Sequence, residues 1–460
     1  MVHVVWFKRD FRTLDHAPLH AASFADEVFP LAVIEPSIWD AGDLSKRHYQ
    51  FVKESMHDLD QRLQKMGNQL HVRVDEMIPV LETLYATWGQ FTMHSHMEHG
   101  LSHTYERDKT VKAWMDAHQC RWTETPGFGV KRGTYVGHRP SFMKTYLKEP
   151  VYPVPRSLKT VNKVPNGFSD SSILDGYTPP GTPASNPLKG GETAAIKQAN
   201  SFFQTRTKTY LKHMTKPAYS FTSSSLLSAY LTWGNISIKS LHKATQNHLD
   251  SPEKKPKKAL QSFSSRVYWH CHFVEKVEMK PWINTVSKDP RYEGVRTTNE
   301  EWFERFKKGT TGFPFVDACM RFLHAKAWLN FRQRAMLTSF ACNTLLLDWR
   351  DVGQFLAQSW IDYEPGIHWS QIQMQSGLIA PRHIPIYDVI KQSKETDPDG
   401  VFIQSQIPEL AACSSANIHE PWKLADNPYI APMIDYDAIL NENKEKLYAI
   451  KKLPERTVHV

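Results

Sequence analysis

The sequence predicts a strand–helix α/β domain followed by an all-helical domain. With 460 residues, the chain is longer than a single hydrophobic core usually needs. Short apolar strands alternate with amphipathic helices over residues 1–135, a pattern typical of a parallel sheet covered by helices. From residue 196 onward apolar residues recur at helical spacing, and period-two runs are scarce. We therefore expect two domains of different class.

The α/β prediction depends on a regular order of elements. The apolar strand VHVVWF opens the chain, and Asp15 is expected to cap a helix that begins near Pro18. FPLAVIEP and QLHVRV follow as further buried strands, with a helical segment between them that ends at a glycine. No G-x-G-x-x-G pattern follows the first strand, so a nicotinamide dinucleotide site is not expected there.

A change of composition marks the boundary between the domains. Residues 136–195 are rich in Pro, Gly, Ser and Thr, and are expected to form a long linker without regular structure. The helical domain is expected at 196–440. The last residues, 441–460, are expected to form a short tail.

Composition narrows the class of protein. Lys and Arg outnumber Asp and Glu by 56 to 48, which favours a polyanion such as nucleic acid as partner, although solubility alone explains the charge equally well. The five cysteines form no C-x-x-C pair, which argues against a zinc ribbon or an iron–sulfur cluster and fits a reducing compartment. Since neither a signal peptide nor a long apolar run is found, a cytoplasmic protein without membrane contact is expected.

Four histidines, His94, His96, His99 and His103, cluster after a predicted strand and suggest a metal site at first sight. The change from strand to loop at this point favours histidines that face solvent. We therefore expect no metal site here or elsewhere in the chain.

Four short patterns follow one another at close spacing between Thr310 and Gly377: TGFPFVDACMR, WLNFRQR, DWR and DYE. Each pattern alone is weak, but the ordered set is specific. It resembles the flavin-binding domain of the photolyase/cryptochrome family, whose chemistry is light-driven electron transfer. The resemblance implies an N-terminal antenna-type domain, a long linker and a C-terminal helical domain that encloses FAD between arginine-bearing helices and an acidic turn.

A second chromophore, a folate or a deazaflavin, is held by the antenna domain in many relatives. Arg9 and Asp10 lie at the carboxyl end of the first strand, where α/β sheets place functional loops. A salt bridge that ties this loop to the linker explains the two residues as well as a ligand does. The presence and identity of an antenna chromophore therefore stay open.

The resemblance also implies which residues contact FAD. The segment TKPAYSFTSSSLLSAYLTWGNIS resembles the family's diphosphate-binding segment, and hydroxyl and backbone N–H groups near a helix start suit phosphate. Helix capping explains such a serine run by itself. The FAD contacts implied are Tyr210, Ser224, Ser225, Leu227, Ser228, Trp269, Arg334, Asp362, Glu364 and His368.

Three of these residues are implied to surround the flavin ring. Arg334 and Asp362 are expected to pair, because an unpaired buried charge is very costly, and the guanidinium would favour a negatively charged flavin. His368 stands where relatives have Asn, Cys or Asp next to flavin N5. Its charge would decide whether it donates a proton or only forms a hydrogen bond.

The chain departs from the family pattern at the tryptophans that carry electrons to the flavin. Trp349 matches the middle of three such tryptophans, but Ile372 occupies the innermost position and cannot be oxidised. Trp360 and Trp369 are candidate substitutes, although tryptophans at such spacing more often pack in a core. With His368, these three tryptophans are the candidate catalytic residues.

A second departure lies at the predicted lesion cavity. Trp269 keeps an aromatic residue of the family, but His270 replaces an arginine, and Arg266 stands where several repair enzymes have glutamate. Trp269, His270 and Arg332 are the candidate DNA contacts, with core packing as the alternative for Trp269.

The resemblance implies a monomeric, blue-light-activated DNA photolyase that repairs pyrimidine dimers, of the cyclobutane or the (6-4) type, in UV-damaged DNA by electron transfer from FAD. The rival hypothesis is a cryptochrome-type photoreceptor that signals to a protein partner without repair. A flavin oxidoreductase that works in darkness gains little support, because no nicotinamide motif is found.

Overall fold

The computed structural model describes residues 1–133, 139–251, 256–379 and 383–454. It confirms the predicted fold class, a parallel-sheet α/β domain followed by a helical domain. The strands are β1 Val2–Phe7, β2 Glu27–Ile34, β3 His71–Val74, β4 Thr92–His96 and β5 Arg121–Thr125. The helices are α1 Ala17–Ala22, α2 Pro36–Trp39, α3 Lys46–Gln64, α4 Met77–Trp88, α5 Ser102–Ala117, α6 Arg139–Lys148, α7 Glu192–Ser201, α8 Thr207–His213, α9 Pro217–Ser223, α10 Ser228–Thr232, α11 Ile238–Asp250, α12 Lys257–Met279, α13 Glu300–Lys308, α14 Pro314–Lys326, α15 Phe331–Ser339, α16 Trp349–Ser359, α17 Pro365–Gln375, α18 Val389–Thr396, α19 Val401–Gln406 and α20 Tyr436–Lys451.

The sheet of the first domain is parallel, with strand order β3-β2-β1-β4-β5. Side chains alternate across its central strand: Val4 and Trp6 join the hydrophobic cluster formed with α4 and α5, while Val5 and Phe7 join the cluster on the side of α3. Because both faces are covered, a central strand is buried along its whole length.

The predicted linker contains more structure than its composition indicates. Helix α6 occupies its first part, where Tyr146 and Leu147 in the last turn are buried. Its last part is fastened along α3, where Gly190 N–H donates to Glu54 (2.7 Å) and Gly191 N–H to Ser55 Oγ (3.1 Å). Gly190 is required there, because a Cβ atom would lie 2.1 Å from the Phe51 carbonyl oxygen.

Asp15 does not cap α1, contrary to the prediction. The cap is His16, whose Nδ1 accepts the backbone N–H of Leu19 at 3.0 Å. The Asp15 carboxylate instead accepts the Ser237 hydroxyl (2.5 Å) and forms a buried ion pair with Lys239 (3.1 Å). Asp15 therefore connects the first loop to the helical domain.

Further contacts between the domains converge on the segment that joins α16 to α17. Ser45 Oγ donates to the Gln358 carbonyl (2.7 Å), and His48 Nε2 donates to the Trp360 carbonyl (2.6 Å). Tyr363 Oη donates to Asp43 Oδ2 at 2.8 Å. Both partners of this last hydrogen bond are buried. The acidic turn, residues 362–364, and the residues just before it are thus held by hydrogen bonds from the α/β domain as well as by the flanking helices α16 and α17.

Helix α20 packs on the helical domain. Leu447 is fully buried, and Asn443 Nδ2 donates to the Thr344 carbonyl at 2.8 Å. The boundary predicted at residue 440 therefore falls inside a packed helix. Across the described ranges, no helix combines the length and the apolar character needed to cross a bilayer.

Candidate functional site

The centre of the candidate site is the ion pair between Arg334 and Asp362. Asn330 caps α15 and so fixes the first turn, from which Arg334 extends. Arg334 Nη2 donates to Asp362 Oδ2 at 2.9 Å, and the guanidinium lies 4.5 Å above the ring of Trp360. Nη1 is also 2.9 Å from Asp362 Oδ1, but its orientation makes no hydrogen bond there. Asp362 Oδ1 is therefore ion-paired with Arg334 but forms no hydrogen bond among the described residues.

His368 lies beside this ion pair on the first turn of α17. Gly366 allows α17 to approach α12, because a Cβ atom there would be 2.5 Å from the Phe273 carbonyl oxygen. His368 Nε2 is 2.8 Å from the Gly353 carbonyl, which can only accept, so Nε2 carries the proton. Burial lowers the pKa of His368 to about 3. The neutral ring therefore offers a lone pair at Nδ1 and no second proton.

The three candidate tryptophans are all buried, as is Ile372 at the position of the missing one. The rings of Trp349 and Trp369 are 6.1 Å apart and nearly perpendicular. Trp369 packs directly on α16 at Gly353, where a Cβ atom would lie 2.3 Å from its ring. Trp360 lies under Arg334 instead. Trp360 thus contacts Arg334, whereas Trp369 contacts Trp349 and Tyr363.

Tyr363, in the middle of the acidic turn, was not singled out from the sequence. Its hydroxyl accepts the Trp369 indole N–H at 3.0 Å, and its ring is 5.2 Å from that of His368. A tyrosine between two acids in a turn gives no sequence signal for such contacts. Its partner Asp43 is 320 positions away along the chain.

The serine segment lies close to the acidic turn. Thr232 Oγ1 donates to the Asp362 carbonyl oxygen at 3.4 Å. Ser224, Ser225 and Ser228 are partly exposed around the start of α10, which is a single short turn. Arg206 donates to the Ser224 carbonyl, and Leu227 N–H donates to Ser225 Oγ at 3.4 Å. The segment thus reaches Asp362 at Thr232, and local hydrogen bonds hold Ser224 and Ser225 of the predicted phosphate residues.

An exposed group of aromatic and basic side chains lies on the outer side of α12 and α15. Trp269 is 52% exposed and Phe331 is 51% exposed. The Arg266 guanidinium lies 5.2 Å above the Phe331 ring and also bonds to Tyr210, whose pKa is raised by burial. We call Arg266, Trp269 and Phe331 the aromatic–arginine patch. Phe331 was not predicted from the sequence.

Two other candidate DNA contacts differ in their surroundings. His270 is buried, its ring is 5.2 Å from that of Phe128 in the α/β domain, and burial lowers its pKa to about 4. This burial disagrees with the predicted DNA contact of His270, because the position that follows exposed Trp269 on α12 faces the protein interior. Arg332 is partly exposed, and its Nη1 lies 3.5 Å from Gln392 Oε1.

Glu364 faces the domain boundary rather than Arg334. Its carboxylate is 3.7 Å from Arg9 Nη2, which donates to the Tyr363 carbonyl at 2.9 Å. Burial raises the pKa of Glu364 to about 7, although the charge of Arg9 opposes this. Two open clefts adjoin this junction, each lined in part by Arg9 and Glu98. Arg9 therefore bridges to the helical domain and not to the linker.

The prediction that the clustered histidines face solvent is wrong for His94, His96 and His99, which are all buried. Asp10 Oδ2 accepts hydrogen bonds from His16 Nε2 (2.9 Å) and His96 Nδ1 (2.7 Å), an arrangement with the outline of a metal site. His16 Nδ1 already accepts the Leu19 N–H, so the proton must be on Nε2, which cannot then ligate a metal. The hydrogen bonds among these side chains thus account for their positions.

Fold and site together define a two-domain protein with a buried Arg–Asp–His site in its helical domain. Residues 263–449 match the family model for the FAD binding domain of DNA photolyase, and residues 3–128 match that for DNA photolyase. The two segments together span more than half of the chain. The chain therefore belongs to the photolyase/cryptochrome family and carries its FAD-binding domain.

Individual relatives include both functional branches of the family. The chain is 26% identical to cryptochrome DASH of Gloeobacter violaceus, over 92% of this chain and 88% of that protein. It is 25% identical to the deoxyribodipyrimidine photo-lyase of Salmonella typhimurium, with 96% of each chain covered. A bacterial class III photolyase from Agrobacterium tumefaciens has the same fold, with a TM-score of 0.86, 21% identity and 98% of both chains covered.

The residues of the candidate site fit FAD. Within the described part of the chain, the buried Asp362 Oδ1 forms no hydrogen bond, and His368 is hydrogen-bonded through Nε2, which leaves Nδ1 as an acceptor. These two acceptors suit the imide N–H and ribityl hydroxyl groups of a flavin nucleotide. Arg334, held by Asp362, supplies a positive charge at the same site.

Proposed function

We propose that the protein is a DNA photolyase that binds UV-damaged DNA and splits pyrimidine dimers in light. The observation that carries this proposal is the aromatic–arginine patch on α12 and α15, since α15 also supplies Arg334 of the Arg334–Asp362 pair. Large exposed apolar rings beside an arginine suit bases that have left the stack of a duplex. When bound, FAD supplies the light absorption and the electron that opens the dimer.

The residues of the central site hold and orient the cofactor in this proposal. Arg334, fixed by Asp362, favours negative charge in front of its guanidinium. Asp362 Oδ1 and His368 Nδ1 accept hydrogen bonds from the cofactor. The residues proposed for the diphosphate end, where hydroxyl and N–H groups gather near Arg206, are Tyr210, Ser224, Ser225, Leu227 and Ser228. Glu364 supports the acidic turn through Arg9.

The patch residues hold the DNA in this proposal. Trp269 and Phe331 stack on unpaired bases, and stacking of this kind contributes about 1–3 kcal/mol per base. Arg266 and Arg332 contact phosphate groups, which fix the position of the strand without reading its sequence. The net positive charge of +8 supports association with a polyanion.

A cryptochrome-type photoreceptor is the second candidate function. It is favoured by the direct contacts of Arg9 and Asp43, both from the α/β domain, with the acidic turn. A change of charge at the turn would reach these contacts and alter the surface of the other domain. Buried His270, in place of an arginine, also removes one cation from the predicted DNA surface.

The two functions are separated by illuminating the protein, with its flavin reduced chemically, together with oligonucleotides that carry a cyclobutane dimer or a (6-4) photoproduct. Loss of one lesion only in light is the expected result, and Trp269→Ala should abolish it. Phe24→Ala is the matched control, because Phe24 is 79% exposed in the other domain. If both lesions survive while flavin is bound and reduced, the repair proposal is wrong and the photoreceptor is favoured.

A further inference from the structure

The Tyr363 side chain occupies an unusual position between an indole and a carboxylate. It is almost fully buried, its hydroxyl oxygen accepts the Trp369 N–H at 3.0 Å, and the hydroxyl donates to Asp43 Oδ2 at 2.8 Å. The charge of Asp43 and burial both raise the pKa of Tyr363, so the phenol keeps its proton within this hydrogen bond. A proton acceptor is therefore in place before any reaction.

Trp369 connects this tyrosine to a second indole. Its ring centroid is 6.1 Å from that of Trp349, above which the Arg350 guanidinium lies at 4.5 Å. The Arg350 side chain is 33% exposed. The three aromatic side chains thus form a continuous row, Trp349–Trp369–Tyr363, from beneath a surface arginine to the domain boundary.

Asp43 is suited to receive a proton from Tyr363. It is buried, its Oδ1 has no hydrogen-bond donor, and among the described residues it forms no ion pair. A phenol that loses an electron becomes a strong acid, and its oxidation inside a protein requires a base within hydrogen-bond distance. The Asp43 carboxylate meets this requirement, since it accepts the hydroxyl directly.

We propose that Tyr363 is a redox-active residue that donates an electron to oxidised Trp369 while its proton moves to Asp43. The oxidant of Trp369 is light-excited oxidised flavin. For this oxidant the inference rests on the proposed function, in which the protein binds FAD. The Trp369 indole radical cation takes one electron from Tyr363, and the Oη–H bond breaks. The products are a neutral indole, a neutral tyrosyl radical and protonated Asp43, so atoms and charge balance.

This step would compensate for Ile372. The row cannot extend through an aliphatic side chain, but Tyr363 adds an oxidisable group on the other side of Trp369. Loss of the proton prevents rapid return of the electron, because the reverse step must also return the proton from Asp43.

The test generates the oxidant without flavin photochemistry. A ruthenium(II) tris-bipyridine complex and an electron-accepting quencher are added to the purified protein and excited with light that flavin does not absorb. Radicals are identified by transient absorption and by electron paramagnetic resonance after freezing. In the unaltered protein a tyrosyl radical should follow the tryptophan radical, and deuterated water should slow its formation.

Three variants assign the radical. Tyr363→Phe should lose the tyrosyl signal and prolong the tryptophan signal, and Asp43→Asn should lose the deuterium effect together with most of the tyrosyl yield. Tyr429→Phe is the matched control, because buried Tyr429 also donates to a buried carboxylate, Asp317 Oδ2, at 2.9 Å, without a tryptophan ring beside it in the described residues. Its tyrosyl signal should be unchanged.

Each result of these measurements either supports or overturns the role of Tyr363. A tyrosyl signal that survives Tyr363→Phe, or an unaltered protein that forms no tyrosyl radical, overturns the inference. If Tyr363→Phe does not fold, Trp369→Phe takes its place and should remove the same signal. A protein that repairs no lesion but forms the Tyr363 radical retains this inference and loses the proposed function, so the two failures are distinguishable.

Discussion

Each domain of the molecule buries a carboxylate beside histidine, and the two groups differ in how completely their polar atoms are satisfied. Asp10 accepts three hydrogen bonds, from the Lys8 backbone N–H, His16 and His96. Among the described residues, Asp362 Oδ1 forms no hydrogen bond, although Arg334 Nη1 lies 2.9 Å away, and neighbouring His368 is hydrogen-bonded through Nε2 alone. Since buried polar groups are normally satisfied, the second group is the one prepared for a ligand and the first is part of the scaffold.

Asp10→Ala should have the largest effect on stability of the changes that test this comparison. It leaves three buried donors without an acceptor, and the unfolding free energy should fall by about 3–5 kcal/mol. Urea unfolding measures the change, with Asp26→Ala as control because Asp26 is exposed and pairs only with Lys159 at the surface. An Asp10 variant as stable as the control would mean that the first group is not scaffold.

Glu364, at the boundary between the two domains, should give the next largest effect. The folded protein keeps its proton up to a pKa of about 7, whereas an unfolded chain releases it near 4.5. Unfolding between these values releases a proton, so rising pH favours the unfolded state. Relative to Glu364→Gln, the unfolding free energy should fall by about 3 kcal/mol from pH 4.5 to pH 7 and then stay constant.

Urea midpoints of both proteins across this pH range supply the measurement. The Glu364 carboxylate forms an ion pair with Arg9, whose Nη2 lies 3.7 Å away. Parallel stability curves for the two proteins would show that Glu364 is ionised in the folded state throughout.

Asp362→Asn should have the smallest free-energy effect but the most specific one. It removes a charge-assisted partner of Arg334 and changes the Oδ1 acceptor, so FAD affinity should fall by about 1–3 kcal/mol, roughly five- to 150-fold. Flavin binding to the apoprotein measures this. Asp10→Asn serves as the comparison and should leave the affinity of the folded protein unchanged; the opposite ranking would reverse the roles assigned to the two groups.

The central ion pair was predictable because both partners lie in short patterns at fixed spacing. Arg334 and Asp362 come together as the sequence predicts. The burial of His94 and His96 was not foreseen, because the histidines were assigned to a solvent face. Strand β4 lies between β1 and β5 of a parallel sheet, and both faces of such a strand are covered.

Contacts between distant parts of the chain were beyond the reach of sequence patterns. Asp43 and Tyr363 are 320 positions apart, and neither residue type at its position predicts the other. Phe331 lies within the pattern WLNFRQR, but only the tertiary fold brings Arg266 of α12 over its ring. Periodicity indicates which residues are buried, whereas the identity of their neighbours depends on the tertiary fold.

The acidic turn and the residues just before it draw several hydrogen bonds from the other domain: Asp43 and Arg9 bond to Tyr363 of the turn, and Ser45 and His48 bond to the preceding carbonyls of Gln358 and Trp360. The α/β domain therefore helps to fix the conformation of this part of the cofactor-binding domain. Such a domain would be retained even in a chain that has no use for a second pigment. Removal of the α/β domain should therefore abolish FAD binding by the helical domain, although every residue that contacts FAD would still be present.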